Sequence, residues 1–131
     1  MNELKKAEDA VNRKFVIACA KRQLKTVRHM VECGMDVNMK LEDGSTGLLF
    51  AASMKSNSDV VRYLIKKGAM VDAADDSGHT PLYTAVCVKN WDVACMLLKN
   101  GANPDLATKD GVTPLMVAAL RNRIECDVML V

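Results

Sequence analysis

His29 and Cys33 stand four residues apart, one turn of a helix, and that spacing could offer a metal ion one imidazole and one thiolate. A closed site needs further ligands. The chain has only two histidines, His29 and His79, and its five cysteines (Cys19, Cys33, Cys87, Cys95, Cys126) form no Cys-x-x-Cys pair. The pair therefore reads as two positions on one helix face. The cysteines read as reduced, mostly buried thiols of a cytosolic or nuclear protein. Covalent catalysis finds no better footing. No Ser/His/Asp or Cys/His set converges, because His29 falls on a helix and His79 on a turn. No glycine-rich phosphate loop leads into a Lys-Ser/Thr helix start. No catalytic, cofactor or metal site is expected.

Recognition is the chemistry that remains. The net charge is +2, from 18 basic and 16 acidic residues among 131. That balance argues against a general nucleic-acid binder, although Lys21, Arg22, Lys25 and Arg28 cluster locally. They read equally as a solvated helix face. No apolar run is long enough to span a bilayer, so no membrane insertion is expected. The N-terminus, Met1–Lys6, has no apolar segment behind it and does not read as a secretory signal.

The elements that would position a recognition surface are announced by a repeat. Asp76-Ser77-Gly78-His79-Thr80-Pro81-Leu82 recurs 33 residues later as Lys109-Asp110-Gly111-Val112-Thr113-Pro114-Leu115. A weaker copy, Glu42-Asp43-Gly44-Ser45-Thr46-Gly47-Leu48, lies 34 residues earlier. A fixed period of that size marks a stacked repeat architecture. Asp or Ser before Gly is turn chemistry. Thr46, Thr80 and Thr113 then suit helix N-caps. Pro81 and Pro114 suit the first helical position, where the missing N–H is harmless. Leu48, Leu82 and Leu115 should begin a buried stripe, thinned by Ala51, Ala52, Ala85, Ala118 and Ala119 so that helices can approach.

A second helix follows each first one: Leu24–Glu32, then 59–67, 92–100 and about 124–131. Gly34, Gly68 and Gly101 close the first three of these helices. One such unit cannot bury its own apolar face, so neighbours must share a core. Leu4, Ala7, Val11 and Phe15 have helical spacing and suggest a leader helix that either caps the first unit, the favoured arrangement because a stack needs a polar outer face, or merges into that unit's first helix.

These motifs resemble the ankyrin repeat. The third copy carries the likeness best, through Asp75–Leu82, Ala85, Val93, Leu97-Leu98 and Gly101-Ala102. The resemblance implies an all-α repeat solenoid of stacked helix-turn-helix units joined by β-hairpin finger loops. The expected organisation is a leader or capping helix at 1–12 and repeats at 13–38, 39–73, 74–106 and 107–131. The last is truncated or capping; its apolar end, Met129-Leu130-Val131, fits a chain cut from a longer array. Several departures stand out. Gly47 replaces the usual proline. No histidine follows the Thr-Pro-Leu motif. Arg22, about Ser56, Lys89 and Asn122 stand where the family favours glycine, so Asn57 or Asn90 is expected to take the left-handed conformation instead. Trp91, Tyr63 and Tyr83 read as packing residues.

The family mostly binds partners on its concave side, lined by fingers and first helices. Carried onto this chain, the resemblance places Glu42, Asp43, Ser45, Asp75, Asp76, Ser77, His79, Lys109, Asp110 and Val112 on the fingers. It places Met54, Cys87, Val88, Leu120 and Arg121 at first-helix ends. Glu42, Asp43, Asp75 and Asp76 would form an acidic row before an apolar strip of Met54, Cys87, Val88 and Leu120. Turn chemistry and packing between repeats account for the same residues without a ligand. The expected function is a non-catalytic protein-interaction module for a protein or peptide with basic residues beside an apolar anchor. The alternatives are a targeting segment of a larger enzyme or channel, and nucleic-acid or nucleotide binding through the basic cluster. Asn38 resembles the hairpin asparagine that an oxygen-sensing hydroxylase modifies in ankyrin repeats, and it reads equally as a structural turn residue.

Overall fold

The computed structural model describes residues 3–120. Its helices are α1 (Glu3–Ala20), α2 (Leu24–Glu32), α3 (Gly47–Ala52), α4 (Ser58–Lys66), α5 (Pro81–Cys87), α6 (Trp91–Lys99) and α7 (Pro114–Leu120). They form an all-α solenoid: α1, α3, α5 and α7 pack successively in one layer, and α2, α4 and α6 in the other. No strand occurs among the described residues, so the fingers are tight turns rather than ladders. The second helix expected in the fourth repeat and Arg121 lie outside the described residues.

Local chemistry starts the helices where the motif places them. The Thr46, Thr80 and Thr113 hydroxyls accept from the amides of Leu49, Tyr83 and Met116 at 3.2, 3.1 and 3.3 Å. Such a cap contributes about 1 kcal/mol. Pro81 and Pro114 open α5 and α7. Leu48 and Leu82 are fully buried, but Leu115 is 37% exposed and does not continue their stripe. Gly47 has a packing reason. A Cβ there would lie 2.8 Å from Phe15 Cε2 and 2.9 Å from Cys19 Sγ, so a proline ring has no room. Burial also pushes the Cys19 thiol up to about 12, which keeps it neutral and unreactive.

Two expectations need correction. The leader is not a separate cap: it continues without a break into the first helix of repeat one, as α1. The left-handed positions fall on Arg22, Ser56 and Lys89 themselves, at φ of 58°, 62° and 61°. Asn57 and Asn90 have negative φ, at −112° and −87°.

Burial explains what the asparagines do instead. Asn57 Nδ2 donates to Cys19 O at 2.7 Å and Ala51 O at 3.2 Å, and Asn90 Nδ2 to Ala52 O at 3.2 Å and Met54 O at 2.9 Å. Asn57 thus reaches Cys19 at the end of the preceding repeat's α1 as well as Ala51 of its own α3, and Asn90 reaches Ala52 at the end of the preceding repeat's α3 and Met54 just beyond it. The last carbonyls of a helix, here Cys19 and Ala52, find no N–H four residues on within it.

Asn38 plays a comparable part behind α2. Its Nδ2 donates to Gly68 O at 3.0 Å, and its Oδ1 accepts from Met70 N at 2.8 Å. Arg22 Nε lies 3.4 Å from Asp59 Oδ1, which adds an exposed ion pair between repeats.

Adjacent substitutions should therefore move stability in opposite directions. Asn90→Ala removes one buried and one part-buried hydrogen bond and should cost roughly 1–3 kcal/mol. Lys89→Gly relieves a left-handed side chain and should gain roughly 0.5–1 kcal/mol after the extra freedom of the unfolded chain is counted. Urea unfolding midpoints of the two variants test the assignment, and shifts in the same direction would contradict it.

Candidate protein-binding surface

Each finger is pinched by the same pair of positions. Leu41 N donates to Ser45 O, Asp75 N to His79 O and Thr108 N to Val112 O, at 2.9, 3.2 and 2.9 Å. Neighbouring fingers are tied backbone to backbone: Asp76 N donates to Asp43 O at 2.8 Å and Lys109 N to Ser77 O at 3.0 Å. Gly44 makes the close approach possible. Its φ is +82°, and a Cβ on it would sit 2.9 Å from Asp76 Oδ1 and 3.3 Å from Asp75 Cα. The fingertips thus form one continuous row.

The row's charge differs from the expected one. Asp75 turns inward: its Oδ1 accepts from the amides of Ser77 (2.9 Å) and His79 (3.0 Å), and its Oδ2 lies 3.1 Å from His79 Nδ1. Its side chain is only 16% exposed. Ser45 is buried as well. The exposed acids are Glu42, Asp43, Asp76 and Asp110, with Ser77 and Lys109 beside them. Asp43 is held below the usual carboxylate range by the Ser45 hydroxyl first and the Ser45 amide second.

At the foot of the fingers, α3 and α5 enclose a pocket of about 220 Å³ lined by Ser45, Leu49, Phe50, Ser53, Asp75, His79 and Thr84. The His79 ring stacks on Tyr83 with centroids 5.2 Å apart and planes 8° from parallel. A hydrogen bond with the Cys87 side chain, then burial, raises the Tyr83 phenol above its ordinary value, so it is neutral and able to donate. The pocket has room for one large side chain, with Leu49 and Phe50 as its apolar lining and Ser53, Asp75, His79 and Thr84 among its polar lining.

The expected apolar strip is uneven. Met54 is 47% and Leu120 86% exposed, whereas Cys87 and Val88 are half-buried, Cys87 against the core and Val88 at the end of α5. Half-buried Val112 packs against the core as well. The pocket-lining Leu49, Phe50 and Thr84, and Tyr83 beside them, escaped the sequence reading as part of this face; Leu49 is buried and the other three half-buried. Their signal was positional: in each repeat they are the two residues after the motif's leucine, one turn before the helix end that had been singled out. The His29 and Cys33 side chains do meet, with Nε2 3.7 Å from Sγ. No group of three or more His, Cys, Asp or Glu side chains is arranged to hold a metal among the described residues.

With helices, caps and fingers in this register, the chain belongs to the ankyrin-repeat family, whose profile (ankyrin repeats, three copies) matches residues 15–108. Ankyrin repeats are generally protein-interaction modules and typically non-catalytic. The chain is similar to cortactin-binding protein 2 of Rattus norvegicus, with 45% identity over 51 residues, which is 39% of this chain and 3% of that protein. It is also similar to palmitoyltransferase Hip14 of Drosophila melanogaster, with 42% identity over 60 residues, 45% of this chain and 9% of that protein. The chain spans less than a tenth of either relative's length. No helix among the described residues is long and apolar enough to cross a membrane.

The Asp43 geometry gives a pH prediction. Its depressed pKa means that its charged form adds stability above the unfolded value and that this contribution is lost as pH falls through the folded value. Ser45→Ala should move the Asp43 titration, followed by carboxyl carbon NMR, upwards towards the ordinary carboxylate range. An unmoved titration would show that the hydroxyl has no such role.

Proposed function

We propose that this chain is a non-catalytic protein-interaction module that binds a peptide segment along its finger and first-helix face. The observation that carries this reading is the continuity of the row. Backbone bonds join the three fingers, exposed Glu42, Asp43 and Asp76 lie along it, and the Leu49–Phe50 pocket opens at its foot. An occupant with one apolar or long-stemmed side chain for the pocket and Lys or Arg towards the fingertips matches both features. Ser77, His79, Lys109 and Asp110 border the same path, and Met54, Val88 and Leu120 extend it along the helix ends. The thiols of Cys19, Cys33 and Cys87, none of them in a disulfide, suit a reducing compartment, the cytoplasm or nucleus. The likeness to parts of two much larger proteins supports a role as the recognition segment of a longer chain, with any chemistry lying elsewhere.

The test must avoid Asp75, whose replacement would undo its own finger. Glu42→Lys/Asp76→Lys reverses two exposed charges and leaves the turn hydrogen bonds in place. In quantitative affinity capture, partners held by the wild type should fall at least about tenfold with the double variant, equivalent to about 1.4 kcal/mol. A partner set of unchanged composition and amount would remove the acidic fingertips from the account.

A further inference from the structure

The finger face leaves one large apolar feature unused. Counted back from Gly47 and Pro81, the first helix of repeat one should begin near Lys14, yet α1 begins at Glu3. The additional residues make roughly three turns. Their apolar positions, Leu4, Ala7 and Val11, share one stripe, and Leu4 is 78% and Val11 45% exposed. The stripe does not close against α2. Between them runs a groove of about 880 Å³, whose far wall is Met30, Met35 and Met39 with His29 and Cys33.

We infer that this groove is a second docking site, for an amphipathic helix of a partner protein whose apolar stripe is flanked by lysine or arginine. Three observations favour that occupant. The stripe from Leu4 to Val11 spans about 10 Å, two turns, the length over which a helix presents anchors at i, i+3 or i+4, and i+7. The facing methionines have unbranched, adaptable side chains that can repack around such anchors. The charge is one-sided: Glu8 and Asp36 line the groove, and no lysine or arginine does. A second copy of the chain fits less well, since it would bring those two acids against their own counterparts with no cation in either lining.

The site is separate from the finger face, so its test runs in the Glu42→Lys/Asp76→Lys background, where that face is disabled. The probe is a synthetic amphipathic helical peptide of leucine and lysine, titrated into protein carrying labelled methionine methyls. The methyl signals of Met30, Met35 and Met39 should shift on binding. A leucine–glutamate peptide of the same pattern should bind at least about tenfold more weakly. Val11→Asp should abolish the shifts while circular dichroism and melting stay as in the parent, because Val11 faces solvent. Leu4→Asp serves the same purpose if that variant does not fold. The inference is overturned if the three methyls stay still, if both peptides bind alike, or if Val11→Asp and Leu4→Asp bind as the parent does. It is also overturned if sedimentation shows a dimer that produces the same shifts without peptide, which would assign the groove to a second copy.

Discussion

No repeat in this chain can complete itself, and the rest of the structure follows from that constraint. A unit of two short helices exposes an apolar stripe on each side and leaves helix-end carbonyls without partners. The next unit supplies both deficits. Leu48, Leu64, Leu82 and Leu97 are fully buried in a core that runs through the stack. Asn57 and Asn90 reach across to the carbonyls. Asn38 does the same on the loop side, and the fingers are bonded tip to tip. Geometry precise enough to place a row of charges arises because each finger is fixed by its neighbour as well as by its own turn.

Much of this was legible in the residues. The 33- and 34-residue spacings, the threonine caps and the leading prolines specify a stacked helical fold, since each carries a local physical requirement that only one backbone arrangement meets. The errors came where two requirements competed. Asparagine tolerates a left-handed backbone better than arginine, serine or lysine does, so Asn57 and Asn90 seemed the natural choice. Burial prevailed at Ser56-Asn57 and Lys89-Asn90: each asparagine amide is worth more on buried backbone carbonyls than the left-handed strain on the residue before it costs. Such a contact, 38 residues apart in sequence, leaves no local trace.

The candidate site shows the same pattern on a smaller scale. Composition alone makes Asp75 and Asp76 equivalent. In the turn, one carboxylate is consumed by two amides and an imidazole while the other faces solvent. Glu42 and Asp76 occupy the same place in successive fingers, which the alignment of the repeats showed in advance. The pocket between α3 and α5 was not visible in that way, because it depends on how far apart two neighbouring helices stand. The groove beside α1 was hidden by the assumption that a leader helix covers what it adjoins.

Regular residues thus build the scaffold, and irregular ones on the fingers and first helices are left to recognise a partner. Hydrogen–deuterium exchange of the chain, alone and saturated with the principal partner it captures, tests this division most directly. The account predicts new protection in the fingers at 41–45, 75–79 and 108–112 and at the exposed ends of α3 and α5. Protection confined to the outer faces of α4 and α6, with the fingers unchanged, would contradict it.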